Sequence, residues 1–227
     1  MKTLIMRTDS YRIFLLIFLG LLTAFGPFVT DMYLPALPSM VDLFGTNTSM
    51  VQLSLTSCMI GLAAGQLLFG PMSDRYGRKP VLLWTLLLFI LSTLLCLFSA
   101  DIYLFVIFRL FQGIAAAGSI VIARSISTDL FSGHELARIL AIVGSINGIA
   151  PVLAPVLGGA MAEAGGWESI FAVLLFIGML LLFACLYYQE SMPVERRVSS
   201  GLLRLPSYFI PLLGNRPYMG YMLQLGF

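Results

Sequence analysis

Apolar residues in this chain come in long blocks separated by short polar breaks. Six blocks run roughly over residues 13–40, 50–71, 80–99, 102–123, 138–162 and 168–188. A helix needs ~20 apolar residues to cross the hydrocarbon layer, and each block is long enough. A seventh block, YMGYMLQLGF, opens at Tyr218 and stops after about half a crossing. The breaks are short, so successive helices are expected to pack antiparallel. The longest polar stretch, residues 189–217, carries charges and prolines suited to a linker. The pattern predicts an all-α membrane protein: a six-helix bundle over residues 1–188, a cytoplasmic linker over 189–217, and the start of a seventh helix over 218–227.

Two charged residues interrupt the blocks. Asp31 stands in the first, within FVTDMYLPALP, and Arg109 in the fourth. If the first span reaches Met40, Asp31 lies ~14 Å inside its outer end, and Arg109 lies ~10 Å inside the outer end of the fourth. Similar depths would let the two face each other inside the bundle. The alternative for Asp31 is a span ending near Phe28, which would leave the carboxylate among headgroups. Gly26, Pro27, Pro35 and Pro38 leave that boundary open. The alternative for Arg109 is a structural hydrogen bond to backbone carbonyls. An ion at mid-bilayer costs ~2.5–3.5 kcal/mol on insertion scales, so such residues usually face a cavity and carry function.

Composition agrees with the blocks. A chain 59% hydrophobic and 11% charged, with mean hydropathy +0.96, has too little polar surface for water. The net charge of +2 argues against a nucleic-acid partner. Cys58, Cys96 and Cys185 are scattered through apolar blocks and suggest neither a disulfide framework nor a metal site. The N-terminal block is too long for a signal peptide, has no small-residue cleavage site after it, and reads as a retained helix. Twelve of the thirteen basic residues, from Lys2, Arg7 and Arg12 to Arg204 and Arg216, fall on one side of the spans. The opposite breaks hold none, so the N-terminus is expected in the cytoplasm.

Three stretches carry further chemistry. GPMSDRYGRKP (residues 70–80) packs Asp74 among Arg75, Arg78 and Lys79, with Gly70 and Gly77 permitting tight turns. IFRLFQGIAAAG (107–118) sets Arg109, Gln112 and Gly113 on one face of the fourth span. GSINGIAPVLAPVLGG (144–159) places Pro151 and Pro155 among Gly144, Gly148, Gly158 and Gly159, which predicts a kinked helix pressed against a neighbour. Gly61 and Gly65 form a further small-residue pair suited to packing. The first stretch resembles the signature loop of the major facilitator superfamily. The second matches its R-x-x-Q-G motif and the third its antiporter motif, with Ala154 where many members have glycine. TDMYLPALP (30–38) and ESMPVERR (190–197) resemble the bicyclomycin and chloramphenicol resistance subfamily of drug:proton antiporters.

The resemblance covers residues 10 to 200 and implies the first half of a twelve-helix transporter, built from two inverted three-helix repeats. It implies proton-coupled efflux of drug-like compounds across the bacterial inner membrane, with a second six-helix half as partner. By resemblance, Asp74 faces a helix start in that half and Arg78 links it to Asp129. Arginine stays charged and His134 lies in a loop, so Asp31 is the candidate proton carrier, with Arg109 and Gln112 tuning it. The energy source would be the proton gradient, since no G-x-x-x-x-G-K-[ST] loop for a nucleotide is present, and no cofactor is called for. The absence of H-E-x-x-H and G-x-S-x-G argues against an enzyme. A metabolite or sugar transporter of the same superfamily, and a half-transporter inactive by itself, are the competing readings.

Overall fold

The computed structural model describes residues 9–197 and the single position Gly220. The linker from residue 198 onward and the expected seventh helix otherwise lie outside the described residues. Helix α1 spans Asp9–Asp31. Its buried positions Tyr11, Leu15, Phe18, Leu22, Phe25 and Val29 recur every three or four residues, the spacing that lines one helix face. The expected span over 13–40 is not one continuous helix. Pro35 lacks the N–H that the next turn would offer the Asp31 carbonyl, so α1 stops there. A 3₁₀ turn (Leu34–Ala36) and a short α2 (Leu37–Leu43) follow.

Helix α3 (Thr48–Tyr76) is capped by the Asn47 side chain, which accepts from the Met50 N–H at 2.9 Å. A single residue, Gly77, separates it from α4 (Arg78–Leu97). Helix α5 (Ile102–Leu130) is capped by Asp101, which accepts from the N–H groups of Tyr103 and Leu104 at 3.1 and 3.2 Å. The last long element, α6 (Gly133–Tyr187), has 55 residues. Unbroken it would reach ~80 Å, more than twice the hydrocarbon thickness. It breaks at Gly165 and Gly166, the latter at φ +72°, into two arms that match the fifth and sixth apolar blocks. Among the described residues six crossings result.

In lipid there is no apolar drive to bring helices together, so small residues and close contact do the joining. Helices α3 and α5 share the most extensive interface and run in the same direction. A methyl group added at Gly113 would lie 2.0 Å from the Cys58 carbonyl oxygen, and one at Gly61 2.2 Å from that of Leu110. The first arm of α6 meets α1 in the same manner, with Gly158 against the Met32 carbonyl. Gly178 of the second arm lies against Phe89 of α4, Thr85 of α4 touches Gly118 of α5, and Tyr11 and Phe18 of α1 meet Tyr187 and Tyr188. Arg109 of α5 reaches the Val29 carbonyl of α1. These pairings map onto one another when crossings one to three are exchanged with four to six, as two inverted repeats require.

Candidate functional site

Asp31 occupies the last helical position of α1 and is partly exposed. It lines an open groove of about 360 Å³ formed with Gly26, Pro27 and Thr30 of α1, Met59, Leu62, Ala63 and Gln66 of α3, and Ile120 of α5. The Thr30 hydroxyl donates to Asp31 Oδ1 at 2.8 Å. No cation of α3 or α5 lines this groove.

Arg109 does not face Asp31, in contrast to the expectation from depth. Its side chain is fully buried on the other side of the same turn of α1. Nη1 and Nη2 each donate to the Val29 carbonyl at 3.2 Å, and Nη1 also donates to Gln112 Oε1 at 2.6 Å. Gln112 in turn donates to Thr93 Oγ1 of α4 at 2.8 Å. The guanidinium carbon lies 4.6 Å from the centre of the Tyr33 ring and 5.6 Å from that of Phe171. Among the described residues no carboxylate pairs with it. The reason is angular. Val29 and Asp31 are two residues apart, about 200° around a helix, so a group that grips one is turned away from the other. Tyr33, Phe171 and Thr93 escaped the sequence reading, although Tyr33 lies within the TDMYLPALP stretch.

A second charged site lies at the opposite ends of the helices. Gly77 takes φ +101°, and a methyl group there would meet Glu190 Oε2 at 2.5 Å and an Arg197 Nη at 2.8 Å. Only glycine meets both demands. The turn delivers Arg78, nearly buried, between two carboxylates. Nη1 donates to Asp74 Oδ1 and to Ser73 Oγ at 2.6 Å, and Nε donates to Asp129 Oδ2 at 2.8 Å. Burial opposes the Arg78 charge, but the hydrogen bond and charge of Asp129 and the charge of Asp74 outweigh it and raise the pKa. Gly70 lies beside Val121 of α5, and Arg75 stacks over the Tyr76 ring.

Glu190 completes this cluster. Its carboxylate accepts from the backbone N–H groups of Arg78 and Lys79 at 3.0 and 3.1 Å, capping the start of α4, with Arg197 at 3.8 Å. Lys79 Nζ donates to the Leu186 carbonyl at 2.8 Å, and Ser191 donates to Asp129 at 3.3 Å. The first residues of the linker are thereby tied onto the signature loop. ESMPVERR signalled a resemblance, but nothing in its spacing announced a helix cap.

The glycine- and proline-rich stretch is helical and packs at one end against the residues that follow α1. The backbone stays helical through Pro151 and Pro155, and the break falls later, at Gly165 and Gly166. Gly158 is pressed against Met32 and Gly159 lies 3.9 Å from Pro35, whereas Gly144 and Gly148 have nothing within 4 Å. Half of the motif packs inside the chain, and the other half faces outward.

Residues 16–226 match the family described as Major Facilitator Superfamily. The chain belongs to this superfamily of transporters. It is 40% identical over 223 residues, 97% of its own length and 56% of the relative's, to the uncharacterized MFS-type transporter YdgK of Bacillus subtilis (strain 168). It is 31% identical over 210 residues, 92% of the chain and 53% of the relative, to a bicyclomycin resistance protein homolog of Haemophilus influenzae. A chloramphenicol resistance protein of Pseudomonas aeruginosa is 36% identical over 155 residues, 68% of the chain and 36% of the relative. Among solved structures, the major facilitator proton:xylose symporter XylE superposes at TM-score 0.72 with 19% identity, over 87% of this chain and 50% of that one. The likeness shows the fold. The chain spans about half the length of YdgK and of the bicyclomycin resistance homolog.

Proposed function

We propose that this chain is the proton-binding half of a drug:proton antiporter, lying in the bacterial cytoplasmic membrane with its N-terminus inside. The observation that carries this reading is Asp31: a partly exposed carboxylate at a helix break, in an open groove whose other walls are apolar apart from Thr30 and Gln66. Such a group holds a proton when its surroundings are dry and releases it when charge or water arrives. Met59, Leu62 and Ile120 offer apolar contact beside it, so a proton and the cationic end of an amphipathic drug compete for one site. Competition for one site is what exchange requires. The names of relatives, bicyclomycin and chloramphenicol resistance and multidrug resistance protein MdtL, support the same substrate class.

In this reading a second six-helix half supplies the facing wall of the substrate cavity, and access alternates by rocking of one half on the other. The Arg78 cluster gates that motion at the cytoplasmic end, and the outward-facing Gly144 and Gly148 belong to the moving contact. The test is dye efflux from pump-deficient bacteria that express the chain alone or joined to a homologous second half. The joined form should export only while the proton gradient stands. Asp31→Asn should reduce export to that of cells without the protein, at unchanged surface expression. Gradient-driven export that survives Asp31→Asn would sink the proton-site reading. A well-expressed joined form that moves none of the dyes would favour a metabolite as cargo.

A further inference from the structure

We propose that Tyr33 is a positioning residue for Asp31: its ring carries part of the Arg109 charge and its hydroxyl fastens the turn bearing the carboxylate to α3. The proposal rests on the proton-site reading of Asp31 and adds the device that orients it.

The turn from Val29 to Tyr33 has two sides. Its open side presents Asp31 to the groove. Its buried side holds Arg109 through the Val29 carbonyl and the face of the Tyr33 ring, one turn further along. A fully buried guanidinium with no carboxylate partner among the described residues must be met by dipoles and π faces, and a desolvated aromatic face suits that need. Its Nε is buried without a hydrogen-bond acceptor, which increases the weight on the remaining contacts. Phe171, from the second arm of α6, contributes the second face at 5.6 Å and meets Tyr33 edge-on.

The direction of the phenol's hydrogen bond follows from counting protons. Tyr33 Oη and Ser54 Oγ lie 2.9 Å apart. Ser54 commits its one hydroxyl hydrogen to the Val51 carbonyl at 2.6 Å, so the phenol is the donor. Tyr33 thus joins the end of α1 to α3 by its hydroxyl, to α5 by its ring face and to α6 by a T-shaped contact with Phe171. Arg109 also grips the Val29 carbonyl and Gly158 of α6 lies against the Met32 carbonyl, but the tie to the α3 side chains is the Tyr33 hydroxyl. On the open side, Met59, Leu62, Ala63 and Gln66 of α3 and Ile120 of α5 face Asp31, and none of them titrates. The groove itself offers no titrating neighbour, which leaves the hold of the turn as the feature that orients Asp31.

The experiment uses the full chain in lipid nanodiscs and needs no transport. Infrared difference spectra across a pH titration report the carbonyl stretch of protonated Asp31, identified by its loss in Asp31→Asn. Tyr33→Leu removes the nearer ring face and the tie to α3, so the turn loosens and the Asp31 midpoint should shift by about one pH unit, tenfold in proton affinity. Tyr33→Trp restores a π face and should bring the midpoint to within about half a unit of the parent. A residue that merely fills space would lower thermal stability without moving the midpoint, and an unmoved midpoint in folded Tyr33→Leu overturns the proposal. If Tyr33→Leu does not fold, Tyr33→Phe and Ser54→Ala remove one and the same hydrogen bond. Each should then move the midpoint by a similar, smaller amount, and the double variant by no more. Parent midpoints in both overturn it. A parent chain with no Asp31 band at any pH overturns the proton-site reading and this proposal with it, a result distinct from the others.

Discussion

Two buried arginines hold the two ends of this bundle, and they are neutralised by opposite means. Arg78 is 5% exposed and sits between Asp74 and Asp129, with the Ser73 hydroxyl beside it. Arg109 is 0% exposed and has a carbonyl, an amide and two aromatic rings, with no carboxylate among the described residues. The first arrangement is a set of ion pairs at the water boundary, where the carboxylates retain some solvent. The second lies where an unpaired carboxylate is costly. Among the described residues Asp31, on the same turn of α1, has the Thr30 hydroxyl and no cation as partner. A carboxylate already bound to arginine would hold its charge across the working pH range.

Removing each arginine gives the largest test of the difference. Arg78→Leu strands two carboxylates and should cost about 3 kcal/mol, the lower end for a broken buried pair because Asp74 is partly solvated. Arg109→Met removes a buried charge and strands none, so its loss of thermal stability in detergent should be clearly smaller. Equal losses would show that the two sites are stabilised alike. The Arg78 contribution also has a pH signature. A raised pKa on a basic group gives stability that is complete below the unfolded value and is lost only as alkali carries the pH through the folded one. Arg78 itself should therefore add no pH dependence between about pH 5 and 9.

Glu190→Ala sharpens the same contrast at smaller scale. It uncaps α4 and releases Arg197, and should cost about 1 kcal/mol in thermal unfolding, while trypsin cuts sooner at Arg196 and Arg197. Unchanged cleavage would mean that the cap does not hold the linker. The smallest effect belongs to Arg12 and Glu135, an exposed pair at 2.5 Å linking α1 to α6. Arg12→Gln should change stability by less than about 0.5 kcal/mol, and the difference should vanish in molar salt.

Much of the fold was legible in the residue pattern, because lipid makes the requirements local. A crossing must be long and apolar, a turn must be short, and basic residues collect on one side, all properties readable from neighbours in the chain. The six crossings among the described residues, the turn at Gly77 and the small-residue seam at Gly61 were visible in this way. The break after Asp31 was half visible, since Pro35 announces it only once the helix is known to reach that far. Partner choice was not visible. Whether Arg109 grips Asp31 or Val29 depends on how α1 and α5 are rotated about their axes, and residues two apart on α1 point to opposite sides. Glu190 at the start of α4 joins groups 112 residues apart, and the Tyr33 ring under Arg109 depends on a register no single block encodes. The sequence by itself determined which segments cross and which residues are too costly in lipid to be idle. Tertiary structure alone decided which of those residues meet, because helix rotation and register are set by packing between elements rather than within them.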